Sequence, residues 1–210
     1  PDEVATSTSI YTRVGIERAV RYAFELARSR ASASNKPGHL TLVDKANAIR
    51  PQEIWTRVFA EVGKDYPDIK QDHAYVDAFA MLMIQKPEYY DTIVTTNLYG
   101  DILTDLGSML QGGIGIAASA NLHPGKTSMF EPIHGSAPDI AGKGIACPLA
   151  AIMAAGMMLD YLGESDSANR IESSVEHLLA SGQITSLDAT SGLSTTQIGD
   201  MVVGQVRKSK

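Results

Sequence analysis

The stretch Thr92-Ile93-Val94-Thr95-Thr96-Asn97-Leu98-Tyr99-Gly100-Asp101-Ile102-Leu103-Thr104-Asp105 decides the fold. Its first five residues are all β-branched, which predicts a strand. A helix is expected from about Asp101 to Gln111, leaving Asn97 to Gly100 as the turn between them. A strand passing through a short turn into a helix is the repeating unit of an α/β protein, and the unit recurs upstream. Leu40-Thr41-Leu42-Val43 predicts a strand, and a helix follows Pro51 with Ile54, Trp55, Val58, Phe59 and Val62 on one face. Ala74-Tyr75-Val76 predicts another strand, running past Asp77 into an apolar helix through Gln85. Ahead of these, Ile16, Ala19, Val20, Ala23, Phe24 and Ala27 recur at helical spacing over roughly 13–29. The polar stretch Ala31 to Gly38 reads as a loop.

Beyond Gly112 the texture changes. Seven glycines and three prolines fall within the 33 positions 112–144, where Ser128-Met129-Phe130 is the one strand candidate. So long an irregular stretch inside a folded domain is usually functional. Three helices follow. Pro148 opens the first and Gly163 lies past its end. Ile171, Val175, Leu178 and Leu179 mark the second, closing near Gly182. Ser194 caps the third, which carries Ile198, Met201, Val202 and Val206.

Composition narrows the function classes. The 210 residues carry 24 acidic and 18 basic side chains, so 24 − 18 leaves a formal charge of −6. At 44% apolar and 20% charged the chain is globular. The acidic balance argues against nucleic acid as a partner, because neutralising phosphates needs clustered Lys and Arg. The short basic run Arg207-Lys208-Ser209-Lys210 reads as a solvated tail. A single cysteine, Cys147, excludes an internal disulfide framework and fits a reducing, cytoplasmic setting. The longest apolar run, Ala146 to Leu159, has 14 residues and contains Pro148. A membrane span needs roughly 20, so no membrane partner is expected. The acidic opening Pro1-Asp2-Glu3 is no signal peptide, and the lack of an initial Met suggests a processed product or a fragment.

Several residues could carry chemistry. Asp101 and Asp105 are i and i+4, so a helix sets both carboxylates on one face. Such a pair is a solvated face in many helices, but hard carboxylates on one turn also suit Mg²⁺ or Mn²⁺. Lys45 and Asp77 stand just past predicted strands, where open α/β sheets bind ligands. Lys45 is either a snorkelling surface residue or, beside a metal, a proton acceptor. Tyr11, ahead of the first helix, reads as packing. In Phe130-Glu131-Pro132-Ile133-His134-Gly135-Ser136-Ala137-Pro138-Asp139-Ile140-Ala141-Gly142, glycines permit close approach to a ligand and Asp139 could bind paired ribose hydroxyls. His134 there is a ligand contact or a capping group. The segment lacks the GxGxxG fingerprint, so an ordinary Rossmann site is not indicated.

Together these pieces resemble the β-decarboxylating dehydrogenases of (R)-malate derivatives, the isocitrate/isopropylmalate dehydrogenase family. The resemblance runs from about Val4 to Val206 and rests on Asp44-Lys45-Ala46-Asn47, Tyr75-Val76-Asp77, the Asn97 to Asp105 block and the His134 to Ala146 block. It implies an α/β fold with a non-Rossmann nucleotide site and a homodimer with shared active sites. It also implies that Asp101 and Asp105 hold Mg²⁺ or Mn²⁺, with Asp77 completing the metal site from the partner subunit. Lys45, reaching across the same dimer, would help remove the proton of the substrate 2-hydroxyl as hydride leaves for NAD. Asn47 and Glu131 would approach the nicotinamide half of NAD. His134, Gly135, Ser136, Ala137, Asp139 and Ile140 would wrap its adenosine half, Asp139 on the ribose. The substrate would be a small 2-hydroxy dicarboxylic acid.

Departures from the family matter too. Cys147 stands where the family places an asparagine that contacts adenine. The family's catalytic tyrosine, its substrate-clamping arginines, the loop that reads the 3-substituent and half of the nucleotide sheet precede the matched region. The resemblance therefore divides the chain at about 114. Residues 1–114 are a partial substrate and dimerisation sub-domain, and 115–210 are the returning half of the nucleotide-binding one. Asp44-Lys45-Ala46-Asn47 and the block Leu193 to Asp200 lean to 3-isopropylmalate, whereas Tyr11 to Arg18 resembles the tartrate/D-malate branch. A remnant that only dimerises stands as the non-catalytic alternative.

Overall fold

The computed structural model describes residues 3–187 and 192–208, so Pro1, Asp2 and the Ser209-Lys210 end of the basic tail lie outside the described residues. A long helix, α1 (Arg13–Ser34), opens the fold, capped by Thr12, whose hydroxyl accepts from the Gly15 N–H at 3.3 Å. The helix runs through the serine-rich stretch expected to be a loop. Ser32 and Ser34 return their hydroxyls to the carbonyls of Arg28 and Arg30 at 3.0 and 2.8 Å, which lets polar residues continue a helix. Asn35 ends it in the left-handed conformation, φ 53°.

Three strands follow, β1 (His39–Asp44), β2 (Lys70–Tyr75) and β3 (Thr92–Thr95). They form a parallel sheet in the order β2-β1-β3, with Leu40 beside Gln71 on one side and Thr92 on the other. Parallel neighbours require crossovers. α2 (Glu53–Val62) connects β1 to β2 and α3 (Val76–Gln85) connects β2 to β3. The central strand is buried along all six residues, because both faces of a parallel sheet are covered. One face packs Leu40, Leu42 and Val94 against Val20 and Phe24 of α1 and Val58 and Phe59 of α2. The Phe24 ring stacks on Phe59 and Tyr66, with centroids 5.3 and 4.6 Å apart. The other face packs Val43 against Phe79 and Met83 of α3 and against Leu103.

Two expectations need correction here. β2 begins at Lys70 rather than Ala74, and Val76 already belongs to α3. As an edge strand half open to solvent, its first residues are polar and carry no apolar signature. The helix after β3, α4 (Asn97–Ser108), starts four residues earlier than expected, with Met109–Gln111 as a 3₁₀ continuation. Asn97 to Gly100 is therefore its first turn and no loop, closed by Gly100 N–H to Thr96 carbonyl at 2.8 Å.

The chain splits into two compact units, Pro1–Thr104 and Asp105–Lys210. This boundary falls inside α4, ahead of the one expected after residue 114. In the second unit β4 (Ala118–Asn121) pairs antiparallel with β5 (Met129–Pro132), Ser119 opposite Glu131. The sequence reading misses β4 because Ala-Ser-Ala-Asn has no strand propensity of its own. Pairing alone supports it. α5 (Leu149–Tyr161), α6 (Ser165–Ala180) and α7 (Thr195–Lys208) complete the unit around Leu149, Val175, Leu178, Ile184, Ile198 and Val202. No helix among the described residues is long and apolar enough to cross a membrane.

Candidate active site

The three parallel strands lead at their carboxyl ends into the segments that carry the expected site residues. Lys45 directly follows β1, Asp77 lies in the first turn of α3 just after β2, and α4 carries Asp101 and Asp105 beyond β3. Because Asp44 pairs with Tyr75 in register, the Lys45 turn begins beside the start of α3. Lys45 Nζ meets Asp77 Oδ1 at 2.6 Å. The Lys45 ammonium, with the N–H groups of Asp77 and Ala78 at the helix start, holds the Asp77 carboxyl below the usual carboxylate range.

The backbone of Lys45 is fixed at both ends. Its carbonyl accepts from the N–H groups of Ala48 and Ile49 at 3.0 and 2.8 Å. Its own N–H donates to Gln52 Oε1 at 2.7 Å. The buried Asp44 ties the strand end down, accepting from the Ala46 N–H at 2.9 Å and pairing with His73 Nε2 at 3.0 Å. Asn47 stands exposed on this turn. Gln52 is a residue the sequence reading missed, since Pro51-Gln52-Glu53 looks like any polar helix start. It is 2% exposed. Tyr11, read as packing, sits partly buried against the α1–α2 core and accepts a hydrogen bond from Gln52.

Asp101 and Asp105 are exposed on α4, and neither carboxylate has a partner among the described residues. Two unpaired hard carboxylates one turn apart fit Mg²⁺ or Mn²⁺ as part of a ligand set. Among the described residues, no group of three or more His, Cys, Asp or Glu could hold a metal ion. Within one chain Asp77 stands with Lys45 instead. A cavity of about 350 Å³ lies elsewhere, lined by Thr41, Asp72, His73, Lys86, Tyr89 and Tyr90 among others. It contains none of the expected site residues.

In the second unit Glu131 accepts from Asn121 Nδ2 at 3.2 Å. His134 follows, its Nδ1 donating to the Gly135 carbonyl at 3.0 Å. Gly135, Ser136, Ala137 and Asp139 are exposed, and Ile140 is half-buried. Ala137 has φ 43°, a left-handed conformation that costs a residue with a Cβ roughly 1–2 kcal/mol. Such strain collects at ligand-clasping turns. Cys147, expected near adenine, packs against the helical core of this unit, and burial pushes its thiol above the usual value.

A parallel sheet with a lysine–carboxylate pair and a carboxylate-bearing helix at its strand ends is the arrangement of an α/β enzyme, built without a GxGxxG turn. The chain belongs to the isocitrate/isopropylmalate dehydrogenase family, whose model matches residues 1–202. It is 46% identical over 206 residues to the 3-isopropylmalate dehydrogenase of Corynebacterium glutamicum, covering 97% of this chain and 57% of that protein. The 3-isopropylmalate dehydrogenase of Thermobifida fusca is 46% identical over 211 residues, covering 98% of this chain and 56% of the other. The crystal structure of isocitrate dehydrogenase from Methylococcus capsulatus superposes with a TM-score of 0.87 at 42% identity, covering 96% of this chain and 59% of that one. A β-decarboxylating dehydrogenase from Thermococcus kodakarensis gives 0.83 at 35% identity, covering 95% and 57%. The chain thus spans somewhat over half the length of the curated relatives it matches.

Proposed function

We propose that this chain supplies the lysine, the metal carboxylates and part of the nucleotide site of an NAD- and Mg²⁺- or Mn²⁺-dependent dehydrogenase. The reaction is oxidative decarboxylation of a 3-substituted (R)-malate, 3-isopropylmalate before tartrate or D-malate. The contact between Lys45 and Asp77 at the strand ends carries the proposal. Asp101 and Asp105 hold the cation, joined by Asp77 of a second copy. A bound cation would supply Lewis acidity toward the substrate 2-hydroxyl and its neighbouring carboxylate, and bound NAD would supply the hydride acceptor. Lys45 of that second copy takes the 2-hydroxyl proton on Nζ, and the Asp77 beside it in the same copy keeps that amine aimed. Glu131 and Asn47 face the nicotinamide half. The exposed turn around Ala137 closes on the adenosine half, with Asp139 on its ribose hydroxyls.

Joining the chain to the preceding portion of the C. glutamicum relative tests this by NADH absorbance. The joined protein should turn over 3-isopropylmalate, and Lys45→Met in it should lower kcat by about 10²–10⁴-fold, the usual contribution of a positioned acid or base. A folded, dimeric joined protein that reduces NAD with none of the three substrates would leave the dimerising remnant as the correct reading.

A further inference from the structure

Gln52 is a buried carboxamide at the junction of three segments. Its Oε1 accepts the Lys45 N–H at 2.7 Å. Its Nε2 donates to the Tyr11 hydroxyl at 2.9 Å and to the Tyr99 hydroxyl at 3.3 Å. Both donors and one acceptor of the amide are thereby used, a degree of satisfaction that pins its orientation. Tyr11 precedes α1, and Tyr99 lies in the first turn of α4, two residues before Asp101. The Gln52 N–H itself donates to the Ile49 carbonyl at 2.8 Å, so the amide is anchored on the same turn it braces.

We propose that Gln52 is a positioning residue for Lys45, its carboxamide bracing the Lys45 turn against Tyr11 and Tyr99 so that the amine is held at Asp77. The role of the amine itself rests on the proposed function; its placement does not. Lys45 has a long, flexible stem, and the Asp77 carboxylate it meets is largely exposed. An exposed ion pair alone fixes little, since it competes with side-chain entropy and water. What narrows the search of the amine is the backbone from which it starts. That backbone is set by one donor contact to Gln52 and two acceptor contacts from Ala48 and Ile49. An apolar side chain at position 52 would leave the Lys45 N–H and two tyrosine hydroxyls without their partner in a partly buried pocket. The turn would then shift toward solvent to satisfy them.

The test reads the amine in the 210-residue chain, without needing turnover. Lys45 acetylation by dilute acetic anhydride is followed by mass spectrometry against the exposed Lys36, with and without Asp77→Asn. With Gln52 in place, Asp77→Asn should raise the relative rate about threefold, the scale of an exposed ion pair. With Gln52→Leu the Asp77 effect should vanish, and with Gln52→Glu, which keeps an acceptor for the Lys45 N–H, it should persist. Gln52→Met serves if Gln52→Leu fails to fold. A merely structural role predicts lower urea midpoints with the Asp77 effect intact, and that result would overturn the proposal. So would a folded Gln52→Glu protein lacking the effect. Loss of the Lys45→Met phenotype in the joined protein would refute the proton role of Lys45 and leave this result untouched.

Discussion

At the scale of single residues, the two carboxylates of α4 and the Asp72 cluster make separable predictions. Asp105→Asn removes one unit of ligand charge from an otherwise unpaired pair, so Mn²⁺ affinity should fall by at least about tenfold, as it does even for outer partners of metal ligands. Titration calorimetry giving equal affinities for the two proteins would refute the metal role. Asp72 accepts from the Tyr89 hydroxyl at 2.5 Å and pairs with His39 Nε2 at 2.9 Å. Tyr89 first, then His39 and Lys70, hold its carboxyl below the usual range. A lowered carboxylate stabilises the fold fully above its unfolded value, about 3.9, and loses that contribution as pH falls through the folded value. Urea midpoints should therefore drop as pH falls below about 5, and less steeply in Asp72→Asn. Identical pH slopes in the two proteins would show that Asp72 contributes nothing. Lys45 and Asp77 were legible at this scale because each follows a strand, a position with known chemical meaning. Gln52 was not, because burial of a glutamine at a helix start is decided by Tyr11 and Tyr99, which are 41 and 47 residues away.

Elements show where local signals suffice. Ser194 and Gln197 form a reciprocal cap at α7: the Gln197 N–H donates to Ser194 Oγ at 3.2 Å, and the Ser194 N–H donates to Gln197 Oε1 at 2.8 Å. Ser194→Ala should cost about 1 kcal/mol in chemical denaturation, with no loss if the helix end were already satisfied by water. Phe24 is fully buried between two rings and two helices, so Phe24→Ala should cost about 3–5 kcal/mol. A loss below 1 kcal/mol would mean that the first unit collapses around the gap. The surface arginines of α1 pair with Glu61, Asp65, Asp68 and Asp91 across exposed contacts. These contacts dress the helix surface and contribute little each, because both partners stay solvated.

For the whole molecule, the question is what covers α3 and α4. Met81 is 69% exposed and Leu98 65%, with Ile84, Ile102, Met109 and Leu110 also open to solvent. Met83, on the same helix as Met81 and Ile84, turns inward and is buried against Val43 and Phe79. So much apolar surface on two helices suits burial against a second copy, and light scattering at micromolar concentration should report a dimer. A clean monomer would end that reading. The 210-residue chain should reduce NAD negligibly with 3-isopropylmalate, tartrate or D-malate, because it spans somewhat over half the length of its relatives and the resemblance puts the family's catalytic tyrosine, substrate-clamping arginines and half of the nucleotide sheet outside that span. Ordinary family rates from the 210-residue chain would contradict this.

By itself the sequence determined the α/β class, the strand ends that bear Lys45 and Asp77, the i, i+4 carboxylates and the helix stops at Gly163 and Gly182. All of these are written in short-range patterns: β-branched runs, apolar periodicity and backbone-permissive residues. Only tertiary structure decided that Lys70 to His73 is strand, that Ala118 to Asn121 pairs with β5 and that Gln52 is buried. Each of those depends on a partner distant in the chain, and hydrogen bonds to distant partners leave no mark on the residues that make them.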